Sequence, residues 1–216
     1  MEGDPGIGHW RRVLTLASVT HIPDLLPARS VPHVAWMPRD RAVAPQAQAA
    51  AWLAREATFD AAAIAFERDA HGRPNLQPPL QAWDCNWSHS GDGLLVAAGQ
   101  HLRVGVDLEW LRPRPRALQL AERFFAPPEF DWVRAAPDDA GEPRFLRLWC
   151  AKEAVLKAHG RGLAFGLDRL QFVEREGALV LHACDAELGE PAAWQLRELA
   201  PAPGYIGALA WCARDA

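Results

Sequence analysis

Leu102-Arg103-Val104-Gly105-Val106-Asp107-Leu108-Glu109 alternates apolar and polar residues along most of its length. Side chains two apart on a strand share a face, so Val104, Val106 and Leu108 point one way and Asp107 and Glu109 the other. Two carboxylates on one face repel, and each raises the pKa of the other unless something positive lies between them. A hard divalent cation is the natural partner, because magnesium takes oxygen ligands and is commonly held by one or two carboxylates plus phosphate oxygens. A half-buried strand turning a polar edge to solvent has the same pattern, and the stretch alone leaves both readings open.

Immediately upstream, residues 94–98 form a second apolar run, set off by the turn signal Gly91-Asp92-Gly93. Downstream lies a proline-punctuated basic loop, Arg112-Pro113-Arg114-Pro115-Arg116, then a helical pattern over 117–125 and a second helix opened by Pro128. Residues 145–159 are the clearest helix. Phe145, Leu148, Trp149, Lys152 and Leu156 make one stripe, Pro143 suits the first turn, and Gly160 suits the end. Further out, strands are expected over 13–19, 62–67, 170–174, 178–183, 194–199 and 205–212, and an alanine-rich helix over 46–58. Pro23, Pro27, Pro32 and Pro38 mark an irregular stretch between the first strand and that helix. Strands and helices mix without regular alternation, which makes the fold class α+β.

The chain has 216 residues, half of them hydrophobic and 23% charged, an ordinary globular composition long enough for a real core. A formal net charge of -4 excludes nucleic-acid binding by bulk electrostatics, so an anionic partner has to be met by local basic patches. Cys85, Cys150, Cys184 and Cys212 are far apart and lack C-x-x-C spacing, which argues against a zinc site or a disulfide scaffold. The apolar run at 13–19 is too short for a membrane span. The expectation is a cytoplasmic protein with no membrane segment.

Glu153 and Lys157 are four apart on the 145–159 helix and share a side of it. So placed, they offer one metal ligand and one phosphate-binding cation, or an ordinary exposed ion pair. Asn86-Trp87-Ser88-His89-Ser90-Gly91 gathers hydroxyls and an imidazole before a turn. That set suits a phosphate group, and equally suits local hydrogen bonding in the turn.

Together, Trp87-Ser88-His89-Ser90, Gly105-Val106-Asp107-Leu108-Glu109 and Trp149-Cys150-Ala151-Lys152-Glu153-Ala154 with Lys157 resemble the surfactin-type 4'-phosphopantetheinyl transferases in order and separation. Gly160-Arg161-Gly162-Leu163 is similar too, and the match runs over residues 71–168. The resemblance implies two similar α+β halves related by a pseudo-two-fold axis, 1–103 and 104–216, with coenzyme A bound between them. It implies transfer of the 4'-phosphopantetheine group from coenzyme A to a serine of an acyl or peptidyl carrier protein, by a monomer. By the same resemblance Asp107, Glu109 and Glu153 hold magnesium, Lys157 meets the diphosphate, and His89 with Ser88 meets the 3'-phosphate. Arg73 occupies the place of the basic residue in the family's G-K-P-like turn. Glu129, in Phe124-Phe125-Ala126-Pro127-Pro128-Glu129, stands where a general base is proposed, although two prolines depart from the pattern. The N-terminal half departs more: Arg39, Arg41 and Arg55 are its candidates for a phosphate contact, Arg41 being the one taken. A non-catalytic coenzyme A-binding homologue and an unrelated magnesium-dependent phosphohydrolase are the rival readings.

Overall fold

The computed structural model describes residues 31–137 and 140–214; the strand expected over 13–19 lies outside the described residues. The elements are, in chain order, β1 (His33–Pro38), α1 (Pro45–Glu56), β2 (Phe66–Arg68), β3 (Pro74–Leu76), β4 (Trp83–Ser90), β5 (Gly93–Gln100) and β6 (Leu102–Trp110). They continue with α2 (Ala117–Phe124), α3 (Pro127–Arg134), α4 (Gly141–His159), β7 (Leu170–Arg175), β8 (Ala178–Cys184), β9 (Gln195–Leu199) and β10 (Tyr205–Ala213). The fold is α+β.

Two antiparallel three-stranded sheets carry the architecture, ordered β1-β5-β4 and β6-β10-β9, and each half adds a two-stranded hairpin, β2-β3 or β7-β8. The strand order therefore repeats, with β1, α1, β2-β3, β4 and β5 corresponding to β6, α4, β7-β8, β9 and β10. No sequence repeat announces this, because what recurs is the pattern of elements and not the residues. Of the prolines that suggested an irregular stretch, Pro23 and Pro27 lie outside the described residues, and Pro32 and Pro38 instead bracket β1, an edge strand with Pro38 at its end, the position a sheet tolerates for a residue without an N–H. The strand expected over 62–67 shrinks to β2. Its beginning is a 3-10 turn at Ala61–Ala63, capped by the Asp60 side chain accepting from the Ala62 N–H at 2.9 Å.

Alternation sorts the cores. On β5, Leu94, Val96 and Ala98 face α1, whereas Leu95 and Ala97 face the other sheet. On β6, Val104, Val106 and Leu108 meet Leu95, Ala97, Leu209 and Trp211 in the core between the sheets. The opposite face of β6 is not turned to solvent: α4 packs on it. Gly105 is the reason it can, since a Cβ there would lie 2.1 Å from the Ala154 carbonyl oxygen and 2.4 Å from the Ala158 nitrogen. Asp107 and Glu109 share that face with Gly105 and so look towards the helix. Among the described residues no helix is long and apolar enough to cross a membrane.

Candidate active site

The seam between the halves, where β4 runs beside β6 without sharing its ladder, builds the site. Alternate polar side chains of β4 take over hydrogen bonds that a neighbouring strand would have made. Asp84 Oδ2 accepts from the Val104 N–H at 2.8 Å, Asn86 Oδ1 from Val106 at 2.9 Å, and Ser90 Oγ from Trp110 at 3.0 Å. The same row reaches the carboxylates: Ser88 Oγ donates to Asp107 Oδ1 at 3.0 Å, and Ser90 Oγ lies 3.4 Å from Glu109 Oε2. The two serines of the S-H-S segment thus orient the two acids of β6. Read from the sequence, Asn86 to Gly91 is a set of hydroxyls and an imidazole before a turn. The period-two spacing of Asp84, Asn86, Ser88 and Ser90 is the signal that reading missed, and that the row faces another strand's backbone is visible only in the fold.

Helix α4 closes the site. Cys150, Glu153 and Lys157, at spacings of three and four, lie on the turns facing β6. Burial and the nearby Asp107 and Glu109 push the Cys150 thiol well up. Lys157 does not form the ordinary i,i+4 pair on a solvated helix surface. Its Nζ sits 2.6 Å from Asp107 Oδ1 and 3.1 Å from Ser88 Oγ. Burial alone would lower its pKa, but Asp107 and Glu153 outweigh that and raise it, so the ammonium is held charged. Glu153 is only 8% exposed. Burial, then Asp107 and Glu109, push it up to about 7 against the pull of Lys157. Glu109 is also raised, by burial and by Asp107, although Arg114 Nη2 donates to its Oε2.

Three acids therefore face two cations, Lys157 and Arg114. Among the described residues no three His, Cys, Asp or Glu side chains close on a metal-sized point as they stand. The donor set nevertheless fits a hard cation. Asp107 Oδ2 is buried without a hydrogen-bond partner, the acids share a field that lifts Glu153 towards neutrality, and every donor is oxygen.

Beside this lies a cationic corner. Arg39 Nη1 is 3.1 Å from His89 Nδ1, and Arg39 Nε is buried without a partner. Burial, Arg39 and Lys157 all lower the His89 pKa, which places the three groups in one field. Arg41 is instead engaged in an exposed pair with Asp92 at 2.6 Å. Among the described candidates Arg39, not Arg41, is thus brought to the histidine, a choice that one-dimensional spacing could not make.

Two residues implied as site members have their side chains engaged within the protein. Glu129 sits in a separate buried centre: it pairs with Lys152 Nζ at 2.7 Å and accepts from the backbone N–H groups of Ala126 and Phe172 at 2.9 and 2.8 Å. None of these bonds goes to Asp107, Glu109, Glu153 or Lys157. Burial lifts its carboxyl, opposed by Lys152 and the two amides. Arg73 is 6% exposed and bonded within the protein, as described below.

A family model described as the 4'-phosphopantetheinyl transferase superfamily matches residues 103–213, more than half of the chain. The chain belongs to this superfamily. The 4'-phosphopantetheinyl transferase HetI of Nostoc sp. is 35% identical over 68% of this chain and 60% of its own length. The 4'-phosphopantetheinyl transferase psf-1 of Bacillus pumilus is 34% identical over 64% of this chain and 58% of its own. The chain thus spans about six-tenths of the length of these transferases. A crystal structure of the Thermotoga maritima holo-acyl-carrier-protein synthase aligns with 52% of this chain and 63% of that one, at 20% identity and a TM-score of 0.42. Within the superfamily match fall Asp107, Glu109, Glu129, Glu153 and Lys157, while Ser88, His89 and Arg39 lie before it.

Proposed function

We propose that this chain transfers the 4'-phosphopantetheine group from coenzyme A to a serine of an acyl or peptidyl carrier protein, releasing 3',5'-ADP, as a cytoplasmic monomer. One observation carries the reading: acids from β6 and α4, a charged lysine and a histidine–arginine corner meet at one seam. That arrangement fits a ligand bearing both a diphosphate and a further phosphate. Superfamily membership supports the same donor and acceptor.

Asp107, Glu109 and Glu153 are the residues that would hold magnesium. When bound, the ion would neutralise charge on the diphosphate and on the departing phosphate. Phosphoryl transfer asks for positioning and charge compensation more than for covalent chemistry by the protein, and each remaining residue is read in those terms. Lys157 supplies a fixed positive charge at the diphosphate, held in its ionised form by Asp107 and Glu153 against the effect of burial. Ser88 keeps Asp107 and Lys157 in one orientation. His89 and Arg39 take the 3'-phosphate, with Arg41 as a flanking cation once it exchanges Asp92 for the ligand. Glu129 is kept as the candidate base for the carrier serine, although reaching a substrate requires it to give up Lys152.

Carrier proteins of this kind are typically acidic. Arg112, Arg114 and Arg116 on the loop after β6, with Arg123 on α2, adjoin the carboxylate site through the Arg114–Glu109 pair and suit such a partner. Trp110 and Leu118, both exposed, add apolar contact area beside them.

The test is to incubate the protein with coenzyme A, magnesium and an apo carrier protein and to weigh the carrier. A phosphopantetheine mass increment is expected, lost in Asp107→Ala and Glu153→Ala proteins that keep the parent circular-dichroism spectrum. Absence of the increment on fatty-acid, polyketide and peptide carriers alike would overturn the reading.

A further inference from the structure

Arg73 lies in the turn before β3, and its five N–H groups are all matched by acceptors inside the protein. Nη1 and Nη2 fork onto Asp84 of β4 at 2.9 and 2.5 Å. Nη1 also has the Pro74 carbonyl at 3.3 Å, Nη2 donates to the Val104 carbonyl of β6 at 3.1 Å, and Nε donates to the Lys157 carbonyl of α4 at 2.9 Å. Asp84 is as fully committed, since its two oxygens also accept from the Cys85 and Val104 N–H groups at 3.0 and 2.8 Å.

The Lys157 carbonyl belongs to the last turn of α4, where carbonyls have no intrahelical partner. Arg73 therefore caps α4 from the other half of the chain. The fit is built on both sides. Gly160 ends the helix at φ 99, and a Cβ there would lie 2.8 Å from Arg73 Cδ, so the turn is shaped around the arginine stem. Lys157 is consequently fixed at both ends. Its carbonyl is tied through Arg73 to Asp84 and Val104, and its Nζ to Ser88 and Asp107, which stand four and three residues further along the same two strands.

We propose that Arg73, held by Asp84, is a positioning residue that sets Lys157 in register with Asp107 and Ser88, and not a ligand of the coenzyme A phosphates. The proposal rests on the reading of this seam as the coenzyme A site. Lysine cannot replace the arginine here, because a single ammonium keeps the charge opposite Asp84 but lacks the planar fork that spans Asp84, Val104 and Lys157 at once.

A double-mutant cycle tests it, using Arg73→Lys, Lys157→Met and the combination, with melting temperature, coenzyme A affinity by calorimetry, and turnover on an apo carrier. Arg73→Lys is expected to fold, to lose roughly tenfold in turnover, and to keep the parent's preference for coenzyme A over dephospho-coenzyme A. In the Lys157→Met background the same substitution should cost less than about twofold, since the group it positions is gone. Equal losses in both backgrounds, or no loss in either, would overturn the proposal. So would collapse of the preference for the 3'-phosphate, which would make Arg73 a phosphate ligand. If Arg73→Lys does not fold, Arg73→Gln with Asp84→Asn removes both charges and the cycle is repeated; should that pair also fail to fold, the pair maintains the fold and the proposal is lost. If the parent transfers nothing to any carrier, the function fails separately, and the cycle is read in coenzyme A affinity alone.

Discussion

Glu153 shows how burial converts a helix-surface residue into a titrating one. Its carboxyl is raised from 4.5 to about 7 by burial and by Asp107 and Glu109. The sign follows from proton counting: the native state binds the proton more tightly than the unfolded chain, so stability falls as pH rises from about 4.5 to about 7. A shift of that size corresponds to about 3 kcal/mol. The metal-free protein should therefore show a urea midpoint that declines across this window. The decline should flatten in Glu153→Gln, because a neutral amide has no proton to lose. An unchanged slope in the variant would mean that Glu153 is not the group responsible. None of this is visible in the i,i+4 spacing of Glu153 and Lys157, which describes an exposed pair equally well. What distinguishes them is that Lys157 Nζ is taken by Asp107, 50 residues away in the chain.

At the scale of elements, Lys152 was legible as part of the apolar stripe of α4 but its consequence was not. A lysine on a buried stripe requires a partner, and with the Lys152 side chain 0% exposed the partner is Glu129 at the first turn of α3. Glu129 also accepts from β7, so one carboxylate joins three elements. Removing its charge should leave a buried ammonium uncompensated. Glu129→Gln is expected to cost about 3–5 kcal/mol, or roughly 6–20 °C of melting temperature for a chain of this size. The measurement also addresses the role as base. A base would in addition lose roughly 10²–10⁴ in turnover at temperatures where the variant is still folded, and a scanning calorimeter beside a carrier assay separates the two. The helix itself was read from 145 and begins at Gly141, Pro143 sitting in its first turn as its fixed φ allows. Gly105 entered the sequence reading only as part of a motif, because its packing role lies in the distance to Ala154 and Ala158 of another element.

For the whole molecule, the seam between the halves predicts strong coupling of ligand binding to stability. Coenzyme A with magnesium should contact Arg39, just after β1, and side chains from β4, β6 and α4 together. At 100 times its dissociation constant it should stabilise the native state by about 2.7 kcal/mol, raising the melting temperature by several degrees. A chelator should abolish carrier modification while leaving the ligand-free melting temperature within a degree or two, because Lys157 already occupies Asp107 without a metal. A large chelator-induced fall in that temperature would make the metal structural. The sequence by itself determined the α+β class, the facing of Asp107 and Glu109, most helix and strand positions, and, through three ordered motifs, the superfamily. Those features depend on local periodicity and on residue types at short spacing, which a chain carries without folding. Only the tertiary structure decided that the second face of β6 meets a helix and not water, and that Arg39 and not Arg41 joins His89. It also decided that Arg73 is enclosed between Asp84 and the end of α4, and that Glu129 is bound to Lys152. Each of these depends on which groups converge from distant parts of the chain, and such convergence is set by packing between elements. The acids of β6 were legible as a pair; the surroundings that make them a candidate magnesium site came from the fold.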